Sequence, residues 1–138
     1  MRTSKKARDA GFRSGLEQKI ALQLTSRGAN YVYESKQSKV EYVVPERHTT
    51  YLPDFVLGNG VIIEAKGLFT AKDRQKHLLI QKQKPHLDIR FIFGDSKKRL
   101  SKKSRTSYAC WCVKNNFQYA DNKVPQLWID ERKDLIPW

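Results

Sequence analysis

Two cysteines, Cys110 and Cys112, are too few to staple a chain of 138 residues, which predicts a reduced, intracellular protein without a disulfide framework. Long apolar runs are missing as well. The longest, 108–113, has six residues and cannot span a bilayer. The first 30 residues hold no apolar stretch of the signal-peptide kind, so secretion is not expected. Acidic residues are scarce: 14 Asp and Glu stand against 27 Lys and Arg, a net charge of +13. That imbalance says little about the fold and much about partners. There is no internal repeat and no low-complexity tract. What is present, 39% hydrophobic and 30% charged residues, is enough apolar matter for one packed core and excludes a disordered chain.

A surface this basic attracts phosphate backbones without regard to sequence, by releasing their condensed counterions. A membrane surface would attract it too. No stretch, however, pairs a basic face with a Leu/Phe/Trp face over a long helix, so no membrane partner is expected. Nucleic acid is the expected partner. The charge is concentrated in two runs: Arg2, Lys5, Lys6, Arg8 and Arg13 at the N-terminus, and Lys97, Lys98, Arg99, Lys102, Lys103 and Arg105 later. Each run is either a DNA-binding surface or a solvated face.

Residues 1–13 read as a flexible basic arm and 14–138 as a single α/β domain. Ser14 with Glu17 three residues on has the form of a capping box, and Leu16, Ile20 and Leu24 give the helix that follows one buried stripe, ending near Gly28. Strands are expected over 31–33, 40–44, 51–57 and 61–66, with 45–50 as a polar connector. Gly58-Asn59-Gly60 marks a hairpin. Thr70 with Asp73 starts a second helix that stops before Pro85. A strand over 88–94, a helix over 106–116 and a short helix begun by Pro125 complete a mixed sheet flanked by helices.

The informative stretch is 53–66. If the hairpin loop is three residues, Leu57 pairs with Val61 and Asp54 falls opposite Glu64, with Cα atoms about 4.5–5.5 Å apart. Lys66 then shares the face of Glu64. A two-residue loop would turn Asp54 to the other side, and the sequence leaves both open. Opposed carboxylates repel, and a hard divalent cation such as Mg²⁺ removes the repulsion. A lysine beside it, its pKa lowered by the metal, can hold or deprotonate a water. These are parts for hydrolysing a phosphodiester. The plainer alternative makes Asp54 a turn end, and Glu64 and Lys66 the exposed face of an edge strand. Ile62 and Ile63, which bury that strand, and the basic chain argue against it.

Pro53-Asp54 followed by Glu64-Ala65-Lys66, after a helix and between strands, resembles the PD-(D/E)xK nuclease superfamily. More narrowly, the chain is similar to bacteriophage endonuclease I, the junction-resolving nuclease of T-odd phages. The similarity runs from about Phe12 to Ile129 and is carried by Phe12-Arg13-Ser14-Gly15-Leu16-Glu17, Pro53-Asp54-Phe55, Asn59-Gly60, Lys66-Gly67-Leu68, Asp73-Arg74, Lys76-His77-Leu78-Leu79-Ile80, Thr106-Ser107-Tyr108 and Trp128-Ile129. The resemblance implies a restriction-endonuclease-like fold and a strand-exchanged homodimer acting on branched DNA, four-way junctions above all. Glu17, Asp54, Glu64 and Lys66 would be its catalytic residues. It also implies two Mg²⁺ ions, for which Mn²⁺ can substitute: Asp54, Glu64 and the Ala65 carbonyl on one, Glu17 and Asp54 on the other. Glu17, otherwise a sufficient helix cap, becomes catalytic on this reading. A further acidic position of the family falls at Val32, with Glu34 two residues on. A phage origin would place the protein in the cytoplasm of a bacterial host.

Other features carry less. Cys110 and Cys112 lie two apart in a helix and point away from each other, so they are not a metal pair. His48, His77 and His86 are too scattered for a ligand set, and Trp111 and Trp128 are expected to close the core. Lys72, Arg74 and Lys76 are either phosphate contacts or the solvated face of their helix. The competing readings are a non-catalytic basic nucleic-acid-binding protein and a restriction- or repair-type nuclease on the same fold.

Overall fold

In a computed structural model describing residues 11–44 and 46–132, the elements follow in the order α1 (Gly15–Ser26), β1 (Tyr31–Tyr33), a single 3-10 turn (Lys36–Ser38), β2 (Val40–Val44), β3 (Arg47–Tyr51), β4 (Phe55–Leu57), β5 (Val61–Lys66), α2 (Ala71–Gln83), β6 (Asp88–Phe93), α3 (Tyr108–Lys114), β7 (Gln118–Asp121) and α4 (Gln126–Asp130). Residues 1–10, most of the basic arm with Arg2, Lys5, Lys6 and Arg8, lie outside the described residues, as does Pro45.

Five strands make one mixed sheet in the order β1-β4-β5-β6-β7, with β1/β4 and β4/β5 antiparallel and β5/β6 and β6/β7 parallel. β5 is central and its first four residues are buried, as expected of an apolar run covered on both faces. Phe55, Leu57, Val61 and Ile63 pack with Ile20, Ala21 and Leu24 of α1 and with Trp128 of α4. The alternate residues Val56 and Ile62 join Phe69, Ile80, Tyr108 and Trp111 on the opposite face. Trp111 and Trp128 therefore close the core, as expected. Arg90 is buried too. Its guanidinium donates to both oxygens of Asp88 and to Glu131, and lies 5.4 Å from the Trp128 ring, which fastens the residues after α4 to the sheet.

The hairpin has the three-residue loop. Phe55 pairs with Ile63 and Val56 with Ile62, which carries Asp54 opposite Glu64. Asn59 builds the turn: its Oδ1 accepts from the Val61 amide, and Gly60 takes a φ of 89° that a side chain would resist. The Asn59 amide group donates to the carbonyls of Trp128 and Glu131, so the turn is gripped from the C-terminal side.

Residues 45–50 are not a connector. Arg47–Tyr51 returns antiparallel to Val40–Val44 in the same chain, with Val44 paired to Arg47 and only positions 45 and 46 between them. This two-stranded ribbon is separate from the main sheet and lies on α2, where the Gln83 amide bonds both the N–H and the C=O of Val43. Its second strand escapes a hydropathy reading because Arg47, His48, Thr49 and Thr50 are mostly exposed. Nor is 51–57 one strand. Tyr51 ends β3, and Phe55 begins β4 after Leu52-Pro53-Asp54. β7 adds a short, half-exposed edge that no strong alternation announces.

Candidate active site

The sheet delivers its chemistry to one end. Asp54 precedes β4, Glu64 and Lys66 finish β5, and the two carboxylates bond reciprocally across the hairpin. Glu64 Oε2 accepts from the Asp54 amide at 3.0 Å and Asp54 Oδ2 from the Ala65 amide at 3.0 Å. Lys66 donates to Asp73 Oδ1 at 3.3 Å. Asp73 also closes a capping box with Thr70 at the start of α2, so the anchor of the lysine is itself fixed by the helix it begins.

α1 brings Glu17 from the other face. Ser14 accepts from the Glu17 amide at 3.1 Å, so the serine half of the cap is present. The glutamate half is not: Glu17 Oε1 is buried without a hydrogen-bond partner. The carboxylate looks into the cleft instead. There it meets Asp54 and Glu34, the acidic residue two positions beyond Val32. Glu17, Glu34 and Asp54 hold carboxylate oxygens within 4.8 Å of one another. Glu34 arrives through the β1/β4 pairing, in which Tyr33 faces Phe55, and its amide donates to the Asp54 carbonyl at 3.2 Å. It has a left-handed φ of 44°, a bend that ends the strand and aims the side chain inward. The position suggested by the resemblance, Val32, is a 44% exposed residue of the edge strand and has no part in the site. Glu34, two residues on, is the acidic side chain that stands beside Glu17 and Asp54.

A cleft of about 330 Å³ is lined by Arg13, Glu17, Asp54, Ala65, Lys66, Thr70 and Asp73, among others. Arg13 belongs to this site rather than to a remote arm. Its guanidinium pairs with Glu34 at 3.3 Å, and its amide donates to the Tyr33 hydroxyl. Glu64 is 2% exposed, one oxygen 3.7 Å from His77 Nε2.

The electrostatics follow from this crowding. Burial first, then Glu64 and Glu17, hold the Asp54 carboxyl well above its usual range, against the stabilising bond from the Ala65 amide. Burial alone would lower the Lys66 ammonium; Glu64, Asp73 and Asp54 overcome it and hold the group above its ordinary value. Lys66 is thereby a cationic donor to Asp73 within this set. Burial would also raise Asp73, and Lys66 and Thr70 reverse this and lower it. A carboxylate oxygen buried without a partner and an aspartate raised by like charges are what a hard divalent cation would relieve. The donor set fits such an ion. Glu17, Glu34 and Asp54 bring carboxylate oxygens within 4.8 Å of one another, and Glu64 is bonded to the Asp54 amide beside them.

The remaining basic candidates divide. Lys97, Lys98, Arg99, Lys102, Lys103 and Arg105 are all exposed, and none is ion-paired with another described residue. Their loop leaves the end of β6 at Phe93, which is registered with Lys66, so it rises at the same end of the sheet as the cleft. Bonds from the Tyr108 amide to the Lys98 carbonyl and from the Ser96 hydroxyl to Asp121 hold it in place. On α2, Lys72 is exposed, Arg74 is spent on the Phe69 carbonyl at 2.6 Å, and Lys76 lies 5.1 Å from the Tyr51 ring centre. Cys110 is exposed and Cys112 buried, so the two do point apart. His48 and His86 are surface residues, and only His77 reaches the site. Among the described residues no helix is long and apolar enough to cross a membrane.

Comparison with known proteins points the same way. The family model for phage endonuclease I matches residues 1–138. The sequence is 48% identical to endonuclease I of Escherichia phage T7 over 127 residues, 92% of this chain and 84% of that protein. It is 46% identical to endodeoxyribonuclease 1 of Enterobacteria phage T3 over 127 residues, 92% of this chain and 82% of that protein.

Proposed function

Because this chain belongs to the phage endonuclease I family and is a DNA endonuclease, we propose that it hydrolyses phosphodiesters in branched DNA, four-way junctions above all, with two Mg²⁺ ions held in the cleft. The observation that carries this reading is the convergence of Glu17, Glu34, Asp54, Glu64 and Lys66 on one site. A protein that only bound DNA would gain nothing from acidic groups crowded where phosphates must approach. On this reading the domain is a PD-(D/E)xK nuclease and Mn²⁺ substitutes for Mg²⁺.

Each side chain then has a task. Glu17, Glu34, Asp54, Glu64 and the Ala65 carbonyl hold the cations, which when bound neutralise the phosphate and acidify a water. Lys66, fixed by Asp73, directs its ammonium at the attacking water and at the charge that grows on phosphorus-bound oxygen. Arg13, with a side chain 76% exposed at the mouth, meets the backbone of the entering strand.

A junction has twofold character and its resolution takes two cuts, so the working form is a C₂ homodimer. Exchange between its subunits is part of this proposal, with the hinge between Val44 and Arg47, which are paired within one chain here. Opened there, α1, β1 and β2 of one copy can pack on the sheet of the other and re-form the same contacts between chains.

The test is a nicking assay on a labelled four-way junction beside its separate linear arms, with and without Mg²⁺. The junction should be cut only with metal, and the arms far more slowly. Equal cutting of both would make the protein a nuclease without branch selectivity, and no cutting at all would leave a binding protein.

The exposed loop gives a second expectation. Neutralising Lys97, Lys98, Lys102 and Lys103 together weakens binding to every DNA. The slope of log affinity against log salt falls by about one unit per lost phosphate contact. An unchanged slope would return that loop to solvent.

A further inference from the structure

We propose that Tyr51 and His77 are positioning residues for Glu64, a buried polar bracket that holds its carboxylate toward the cation site; this rests on the metal-site reading above. Glu64 offers two oxygens. One is taken by the Asp54 amide, and the other turns away from the hairpin toward His77 Nε2 at 3.7 Å, just beyond hydrogen-bond length. His77 and Tyr51 are both 0% exposed, and neither ring nitrogen nor the phenol oxygen has a hydrogen-bond partner among the described residues. Three unpaired polar atoms in an otherwise aromatic core need a reason. Leucine or phenylalanine would fill the same volume without the desolvation of those atoms.

The surroundings fix the bracket tightly. The Tyr51 and Phe91 rings meet the imidazole edge to face, each at 87°, with centroids 5.4 and 4.9 Å away. Lys76 lies over the Tyr51 ring, 5.1 Å from its centre. His77 on α2 thus sets Nε2 toward the buried carboxylate, and Tyr51 on β3 backs that imidazole edge to face, its unpaired hydroxyl close enough to Glu64 to feel its charge. Carboxylates that hold metals are commonly oriented in this way from behind, and losing such a partner weakens metal binding by about 10–100-fold.

The test is Mn²⁺ binding without DNA, followed by the spin-resonance signal of the free ion, beside thermal melts of the same proteins. Tyr51→Phe removes one oxygen and His77→Phe keeps the aromatic contacts. Both should melt within about 3 °C of wild type yet bind Mn²⁺ at least about tenfold more weakly. Should His77→Phe fail to fold, Tyr51→Phe decides alone. Wild-type Mn²⁺ affinity in a folded Tyr51→Phe or His77→Phe protein overturns the bracket. Asp54→Asn separates the two readings. If it binds Mn²⁺ as wild type does, the ion does not sit on these carboxylates, and the metal reading and the bracket fall together. If it alone loses binding, the metal site stands and the bracket does not.

Discussion

Asp54→Asn, Glu64→Gln and Lys66→Ala will each yield a protein that binds a four-way junction and does not cut it. Partners that only orient a metal ligand are worth about 10–100-fold, so losing a ligand itself should slow nicking by more than about 100-fold. Gel-shift titrations and single-turnover nicking on the same junction measure the two properties separately. Asp54→Asn and Glu64→Gln remove a negative charge that faces DNA, so affinity should hold or rise. Misfolding is a poor explanation for Asp54→Asn in particular, because that change relieves the burial and like-charge repulsion that raise the native carboxyl. Near wild-type nicking by any one of the three would remove that residue from the site.

Mixing two dead proteins should restore activity. If subunits exchange α1, β1 and β2, each site takes Glu17 and Glu34 from one chain and Asp54, Glu64 and Lys66 from the other. Co-expressed Glu17→Gln and Lys66→Ala chains then form heterodimers in which one site collects both lesions and the other none. Random pairing leaves roughly a quarter of all sites intact. Since each such dimer has one working site, the product should be a nicked junction rather than a resolved one. Chains that build their sites alone would keep one lesion apiece. A silent mixture, with heterodimers demonstrated by differential tagging, excludes the exchange.

The legible parts of this site were the local ones. Asp54 and Glu64 could be set opposite each other because Gly58-Asn59-Gly60 fixes a three-residue turn, and Lys66 follows from the period of a strand. Glu34 was hidden because its partner strand lies more than 20 residues away, across an intervening ribbon and without a turn that fixes the register. Arg47–Tyr51 was hidden because its exposed polar residues follow no hydrophobic alternation. In sequence Arg13 is one more charge in a basic arm, and only the fold sets Glu34 beside it. His77 shares no ligand spacing with His48 or His86, and nothing near it in sequence points to Glu64. Only the third dimension puts the Glu64 oxygen next to it. Pairing that spans long stretches of chain leaves no trace in short-range periodicity.

Asn59 connects the order of synthesis to the moment the enzyme becomes competent. Its amide holds the turn that aligns Asp54 with Glu64, and the acceptors it grips are the carbonyls of Trp128 and Glu131, among the last described residues to leave the ribosome. The carboxylates and the lysine are made long before, yet the clasp on the far end of their hairpin forms only when α4 arrives. A nascent chain released to fold segment by segment would thus hold the nuclease residues with their register not yet secured. On the proposed reading the site is secured late, after the basic loop assigned to DNA has already been made.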